Sequence, residues 1–191
     1  ADIIRLSQLD ERCDMPFEQV DLYEVASDVT AGLADIAAAK GIEVTLTGET
    51  VCVKSVRRLL TEIIFNLCDN AVKYNQNGGT VEIAISRQEN DAVIAVKDSG
   101  IGIPPEHHAR IFERFYRVDK SRSKESGGTG LGLSIVKHAV QYLNGKIDLQ
   151  SSPGQGTTIQ VSFYSTETSR KNPRHMAGFP PPVTKPYSKS S

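Results

Sequence analysis

Three polar side chains share one strip of a predicted helix. Asn66, Asn70 and Lys73 are spaced four and three residues apart, so they project from the same side of a helix. Beside them runs an apolar stripe that faces a core, formed by Leu59, Leu60, Ile63, Ile64, Leu67 and Ala71. An amide oxygen is a hard, neutral ligand that suits Mg²⁺. For a single asparagine, a solvated helix face is the ordinary explanation.

Two glycine-containing segments make a binding site the better explanation. Asp98-Ser99-Gly100-Ile101-Gly102 follows an apolar run, and Gly127-Gly128-Thr129-Gly130-Leu131-Gly132-Leu133 precedes a helical pattern. The Asp98 carboxylate can accept a hydrogen bond from the exocyclic amine of adenine, whereas guanine presents a carbonyl oxygen there. Glycines at 100 and 102 permit close backbone approach to a base and positive φ. Free N–H groups before a helix favour phosphate. Hairpin turns also often contain Asp-x-Gly-x-Gly, so an adenine nucleotide site is predicted from these two segments only in combination with the polar strip.

The order of these motifs resembles the ATP-binding fold shared by gyrase, Hsp90, sensor histidine kinases and MutL. Within that group the chain most resembles the sensor histidine kinases. Their N box is similar to Asn66–Tyr74, their first glycine box to Asp98–Gly102, their F box to Ile111–Arg117 and their second glycine box to Gly128–Leu133. The resemblance covers about Phe17 to Phe163. The F box is most similar to that of phosphate-regulon sensor kinases.

The resemblance implies ATP and Mg²⁺ as cofactors. Asn70 is the implied metal ligand, and the phosphates would supply others, so the metal should bind with ATP rather than before it. The implied catalytic residues are Asn66, Asn70 and Lys73. The implied nucleotide-binding residues are Asn70, Lys73, Tyr74, Asp98, Gly100, Gly102, Arg117, Gly128, Thr129, Gly130, Leu131, Gly132 and Thr157.

A basic segment between the two glycine boxes predicts a flexible lid over the phosphates. Its cations lie among Ser and Gly residues, and a solvated basic loop is the alternative. In the family the F box anchors this lid, although aromatic residues such as those of this F box are more often core residues. The cations are Arg117, Lys120, Arg122 and Lys124, and the aromatic residues are Phe112, Phe115 and Tyr116.

Position 66 indicates the class of reaction. In the ATP-hydrolysing branches of the family, a glutamate four residues before the metal-binding asparagine deprotonates water. Here that residue is Asn66, which cannot act as a base at neutral pH. We therefore expect poor hydrolysis and transfer of the γ-phosphoryl group to a histidine, as in histidine kinases. Glu62, one turn earlier, could contact water or metal, but an ordinary surface carboxylate is the expectation.

None of the four histidines fits the family's phosphoacceptor motif, in which an acidic residue follows the histidine. They are His107, His108, His138 and His175, and the first two are expected to face solvent in a Pro-containing loop. The implied partners are therefore a helical dimerisation hairpin that carries the acceptor and, through the parent kinase, a response regulator. The alternatives are an ATPase or chaperone-type module of the same fold and a nucleotide-sensing domain without turnover. Asn66, the F box and the basic lid favour the kinase.

The apolar periodicities predict an α+β two-layer sandwich, with one mixed sheet of about five strands covered by about three helices. Helices are expected at about 22–40, from the N-cap Ser55 to Asn77, and at 133–143. Strands are expected at 17–20, 42–46, 51–54, 81–85, 92–98, 147–150 and 158–163.

Three regions are expected along the 191 residues. Residues 1–14 would be the end of a dimerisation helix or a linker, 15–166 the catalytic domain, and 167–191 a Pro/Ser/Lys-rich tail that cannot bury a core and resembles a cloning remnant. A net charge of −1 argues against nucleic acid as a partner. Three scattered cysteines indicate a reducing compartment, so a cytoplasmic location is predicted. No apolar run reaches the ~20 residues of a membrane span, so membrane attachment would come only from other parts of the parent protein.

Overall fold

The computed structural model of the chain describes residues 15–118 and 129–164. Within these ranges lie three α-helices, seven strands and a short 3₁₀ helix. In chain order they are β1 (Glu18–Asp21), α1 (Leu22–Ala39), β2 (Glu43–Gly48), β3 (Cys52–Ser55), α2 (Arg57–Lys73), β4 (Thr80–Gln88), β5 (Asp91–Asp98), the 3₁₀ helix (Pro105–His107), α3 (Gly132–Tyr142), β6 (Lys146–Ser151) and β7 (Thr157–Tyr164).

Five strands form a mixed sheet in the order β2-β4-β5-β7-β6. The pair β2–β4 is parallel, and the other neighbours are antiparallel. Strands β1 and β3 form a separate antiparallel pair. The predicted α+β sandwich with about five strands and about three helices is therefore confirmed, and the two extra short strands belong to the small second sheet.

The core lies between the sheet and the helices because each contributes one apolar face. On β4 the alternate residues Val81, Ile83 and Ile85 are fully buried, as the period of a half-buried strand predicts. The predicted stripe of α2 is buried along its whole length. Each fully buried Leu or Ile stabilises the fold by about 1.5–3 kcal/mol. This packing holds α2, and with it the polar strip, against the sheet.

The first turn of α2 differs from the prediction. Ser55 is not an N-cap but the last residue of β3, paired with Glu18, and only 4% of it is exposed. Val56 takes the N-cap position and contributes no side-chain hydrogen bond. The strand pairing therefore outweighs the local capping preference of serine.

The C-terminus of α2 also comes earlier than predicted, at Lys73 rather than near Asn77. Lys40, at the end of α1, donates hydrogen bonds through Nζ to the carbonyl oxygens of Val72 (3.0 Å) and Lys73 (2.9 Å). Terminal carbonyls of a helix need such partners, and a cation there also suits the helix dipole. A contact from another helix thus supports the end of α2.

Several predicted segments lie outside the described residues. They are 1–14, the proposed tail 167–191, and 119–128, which includes Gly128 and the lid cations Lys120, Arg122 and Lys124. In the described ranges, no helix is long and apolar enough to cross a membrane.

Candidate nucleotide site

The polar strip of α2 meets the N-terminus of α3. A Cβ placed on Gly132 would lie 3.0 Å from Asn66 Oδ1 and 3.5 Å from Asn70 Nδ2. Asn66 Nδ2 donates to the carbonyl oxygen of Glu62 (2.7 Å), which fixes the orientation of the Asn66 amide. Leu131, the N-cap of α3, makes no side-chain capping hydrogen bond. The first turn of α3 therefore brings backbone N–H groups, which suit an anion, next to both asparagines.

Lys73 and Tyr74 lie at the C-terminal end of the same helix. Lys73 Nζ is 3.3 Å from Asp69 Oδ2, and Tyr74 is the 40% exposed C-cap residue. A partly exposed ion pair between residues i and i+4 contributes only about 0.3–0.5 kcal/mol. The pair therefore leaves Lys73 able to turn toward a phosphate.

Asp98 ends β5 with a carboxylate held by two backbone donors. Its Oδ1 accepts hydrogen bonds from the N–H groups of Gly100 (2.8 Å) and Thr157 (3.2 Å). Burial raises the pKa of Asp98, and these two hydrogen bonds act in the opposite direction. The other oxygen, Oδ2, makes no hydrogen bond within the described part of the chain. Asp98 therefore presents one oriented acceptor.

The positive φ predicted for the glycines after Asp98 is confirmed at Gly102 but not at Gly100, and both glycines lie close against the chain itself. A Cβ on Gly100 would lie 2.5 Å from the Tyr74 carbonyl oxygen. At Gly102, where φ is +68°, a Cβ would overlap the Ser152 carbonyl oxygen. Close approach to a base is therefore not needed to account for either glycine, because the loop already passes this closely against its own chain.

The turn between β6 and β7 was largely missed by sequence reasoning, which assigned only Thr157 to the site. Gly156 has φ +77°, and a Cβ there would overlap the Asp98 carbonyl oxygen. Only glycine therefore allows this turn to pass beneath Asp98 and bring the Thr157 N–H to the carboxylate. The signal in the sequence was Gly154-Gln155-Gly156-Thr157, which directly precedes the last strand.

The F box packs against the second glycine segment. Phe115 N–H donates to the Gly130 carbonyl oxygen (2.9 Å), and a Cβ on Gly130 would lie 3.0 Å from Phe115 Cα. Phe115 itself has φ +64° and is 63% exposed, so it is not the core residue that an aromatic side chain more often is. Ile111 is instead the buried apolar residue of this box. Backbone contact, rather than an aromatic core, joins the F box to the segment before α3.

The expectation of solvent-facing histidines in this region was also wrong. His107 and His108 are half-buried. His107 Nδ1 is 2.6 Å from the Tyr116 hydroxyl, and His108 Nε2 is 2.9 Å from the Ile103 carbonyl oxygen. The Arg110 guanidinium lies 4.3 Å from the centre of the Tyr116 ring, a cation–π distance. The 3₁₀ turn folds both imidazoles back onto neighbouring loops.

Glu62 is not the surface carboxylate that was expected. Only 12% of its side chain is exposed, and its Oε1 lies 3.3 Å from Arg58 Nε. Its Oε2 is buried without a hydrogen-bond partner. Burial follows from its position on the side of α2 that carries Asn66.

An open cavity of about 470 Å³ lies at the F box, lined by Arg110, Glu113, Arg114, Phe115, Tyr116 and Arg117. It includes neither Asp98 nor Asn70, so cavity shape alone does not locate the nucleotide site. Of the other residues assigned to that site, Leu131 is buried and Thr129 is exposed. In the described ranges, no cluster of three or more His, Cys, Asp or Glu residues could hold a metal ion.

Residues 55–167 match the family described as "Histidine kinase-, DNA gyrase B-, and HSP90-like ATPase". The chain belongs to this family. Asn66, Asn70 and Asp98 thus stand in an ATP-binding domain whose relatives are sensor histidine kinases. The relatives give no support to the chaperone-type alternative.

Two relatives illustrate the similarity. The sensor-like histidine kinase SenX3 of Mycolicibacterium smegmatis is 40% identical over 165 residues, which are 85% of this chain and 43% of SenX3. The phosphate regulon sensor protein PhoR of Pseudomonas aeruginosa is 44% identical over 112 residues, 57% of this chain and 25% of PhoR. The chain therefore spans less than half the length of these relatives. The predicted resemblance to phosphate-regulon sensors is confirmed.

Solved structures show the same fold. The mycobacterial sensor histidine kinase MprB matches with a TM-score of 0.67 at 28% identity, over 78% of this chain and 97% of that one. Full-length ShkA in complex with AMPPNP matches with a TM-score of 0.75 at 26% identity, over 86% of this chain and 35% of ShkA. The domain is thus of the histidine kinase ATP-binding type.

Proposed function

We propose that this domain binds Mg-ATP and donates the γ-phosphoryl group to a histidine on a separate helical hairpin of the parent kinase. The proposal rests on the identity and position of Asn66. It faces the N-terminus of α3 at the position where the ATP-hydrolysing branches place a glutamate base, and its amide is fixed by the Glu62 carbonyl. A site that orients phosphates but lacks a base for water favours another nucleophile.

In this proposal the two ends of the nucleotide bind at different places. Asp98 Oδ2 accepts the hydrogen bond from the adenine amine, and the N–H groups of Gly100 and Thr157 keep that carboxylate in place. Gly102 allows the loop after Asp98 to pass close to Ser152. The phosphates lie at the N-terminus of α3, where Gly130, Leu131 and Gly132 provide backbone donors. Lys73, Tyr74, Arg117, Gly128 and Thr129 complete the phosphate end. The analogue in the ShkA structure supports nucleotide binding by this fold.

Asn70 is the proposed protein ligand of Mg²⁺. Its amide fits a hard cation that keeps several waters and takes further ligands from phosphate oxygens. When bound, the ion neutralises charge on the phosphates.

The reaction then needs positioning more than acid–base chemistry. An imidazole nitrogen of the acceptor forms a bond to the γ-phosphorus, the bond from that phosphorus to the β,γ-bridging oxygen breaks, and ADP leaves. Lys73 and the α3 N-terminus stabilise charge on the transferred group. Asn66 stays neutral and accepts no proton.

The test is to incubate the chain with ATP labelled at the γ-phosphate and with a separately made acceptor hairpin of a related kinase. The expected result is acid-labile label on the hairpin and none on the chain, at a slow rate because the linker that raises effective concentration is missing. Label on the chain itself would contradict the proposal, because it would show that one of its own histidines accepts phosphate. No transfer to several related hairpins, despite measured Mg-ATP binding, would also contradict it.

We further propose which partners this domain has and where it lies in the parent kinase. The hairpin is its direct partner, and a response regulator receives the phosphoryl group through the full-length kinase. Residues 15–166 form the catalytic unit on the cytoplasmic side, 1–14 lead from the dimerisation helix or a linker, and 167–191 form an appended tail. The basic segment that contains Arg117, Lys120, Arg122 and Lys124 serves as the lid.

A further inference from the structure

The loop after β5 and the turn between β6 and β7 meet at the backbone of Ile103. Its N–H donates to Ser151 Oγ (2.8 Å), and its carbonyl oxygen lies 2.9 Å from His108 Nε2. Because a carbonyl oxygen only accepts, Nε2 of His108 carries the proton and donates. Two side chains from different segments therefore hold Ile103, one on each side. We call this arrangement the Ile103 clamp.

The Ser151 hydroxyl uses its full hydrogen-bonding capacity. It donates to the Gly156 carbonyl oxygen (2.9 Å), and it accepts from the Ile103 N–H and from Thr157 Oγ1 (2.9 Å). A hydroxyl has one proton and two lone pairs, so no capacity remains. The Thr157 N–H in turn donates to Asp98 Oδ1. Ser151 therefore joins the loop that follows Asp98 to the strand that orients its carboxylate.

His108, the second residue of the clamp, is connected through neighbouring residues to the phosphate end of the site. His108 is adjacent to His107, whose Nδ1 is hydrogen-bonded to the Tyr116 hydroxyl at 2.6 Å. The next residue back along the F box, Phe115, donates to the Gly130 carbonyl oxygen. Ile103 thus lies between the base end of the site and the contact that positions the start of α3.

We propose that Ser151 and His108 are positioning residues for nucleotide binding. Neither side chain contacts the base in the proposed complex. Together they keep Asp98 and the F box in one relative position, so that base and phosphates meet a preorganised site. The inference rests on the proposed function, because it takes Asp98 to be the group that recognises adenine.

The test compares binding of Mg-ATP with that of Mg-ITP, whose base carries a carbonyl oxygen in place of the amine, by calorimetry on the 191-residue chain. Ser151→Ala should lower ATP affinity about five- to tenfold, which corresponds to the weakening of the one hydrogen bond between Asp98 and the adenine amine. ITP affinity should change less than about twofold, so the preference for ATP falls. Ser152→Ala is the matched control, because Ser152 is exposed and its side chain makes no hydrogen bond within the described residues.

Conservative variants separate positioning from general stability. Ser151→Thr keeps the hydroxyl and should retain the preference for ATP. His108→Gln keeps an N–H donor and should bind ATP more tightly than His108→Leu. If Ser151→Ala fails to fold, the ratio of the ATP dissociation constants of His108→Leu and His108→Gln tests the proposal instead.

The proposal would be overturned if Ser151→Ala kept the wild-type preference for ATP over ITP and the two His108 variants bound ATP equally tightly. This would hold even if the melting temperatures of these variants were lower than that of the wild type. Asp98→Ala distinguishes this outcome from failure of the proposed function. If Asp98→Ala removes the preference while Ser151→Ala does not, only the clamp is wrong. If Asp98→Ala leaves the preference intact, the assignment of the base site fails and the clamp fails with it.

Discussion

Asparagine at position 98 should reverse the base preference of this domain, because the structure fixes which way its amide must point. The N–H groups of Gly100 and Thr157 both donate to Oδ1 of Asp98. An amide must keep its oxygen at that position, so its NH₂ group takes the place of Oδ2. Two donors, the new amide and the adenine amine, would then face each other.

The magnitude follows from the lost hydrogen bond and the unsatisfied donors, together about 1–3 kcal/mol. At about 1.4 kcal/mol for each factor of ten, the Kd of Mg-ATP should rise about 5- to 150-fold in Asp98→Asn. Mg-ITP, whose carbonyl oxygen can accept from the amide, should bind the variant more tightly than it binds the wild type. Calorimetry with both nucleotides measures the reversal, with circular dichroism to check the fold. Unchanged ATP affinity would remove Asp98 from the base site.

The same geometry gives a pH dependence. Because Oδ1 already accepts two N–H groups, a proton on Asp98 goes to Oδ2, where it would face the adenine amine. Burial raises the pKa of Asp98. ATP affinity should therefore be complete above this raised pKa and should be lost as the pH falls through it. The loss should begin at a higher pH than it would for an ordinary aspartate, whose pKa is about 3.9. Asp98→Asn should lack this component, and identical profiles for both proteins would contradict the assignment.

Three other substitutions test separate parts of the structure. Asn70→Ala should abolish Mg-ATP-dependent transfer and leave the melting temperature within a few degrees, because it removes no core volume; a collapse in melting would make Asn70 structural. Gly156→Ala should destabilise the fold by more than about 2 kcal/mol in urea unfolding, whereas Gly154→Ala, at a similar φ but with no described atom within 4 Å of the new Cβ, should cost only about 1 kcal/mol. Equal costs would show that the contact with the Asp98 carbonyl is unimportant. Lys40→Met should lower the free energy of unfolding by about 1.5–3 kcal/mol through loss of the two hydrogen bonds to α2, and the exposed Lys54→Met should change it by less than about 0.5 kcal/mol; similar values for both would refute the capping role.

Regular elements were predictable because a buried face imposes its period on the sequence. The alternation of Val81, Ile83 and Ile85 and the stripe of α2 both identify the face that is buried. Element ends were less predictable where partners distant in sequence decide them. Lys40 supports the end of α2 from 33 residues away, and Ser55 belongs to a strand because Glu18 pairs with it.

The site likewise has features that the sequence predicts and features that it does not. The motifs predicted that the strip of α2, Asp98 and the segment before α3 belong together, since each has its own chemistry. The irregular loops were not predictable, because no period links His108 to Ile103 or His107 to Tyr116. The burial of Glu62 also depends on the packing around its side of α2, and a single helix pattern does not reveal that packing.

The central claim, that Asn66 directs this domain toward phosphoryl transfer rather than hydrolysis, is tested most directly by phosphate release from the chain alone in the presence of Mg-ATP. A site without a base to activate water should release phosphate very slowly, even at nucleotide concentrations that saturate binding by calorimetry. Brisk release that is abolished by Asn70→Ala would contradict the account, because it would show that the same metal site supports hydrolysis without a glutamate at position 66.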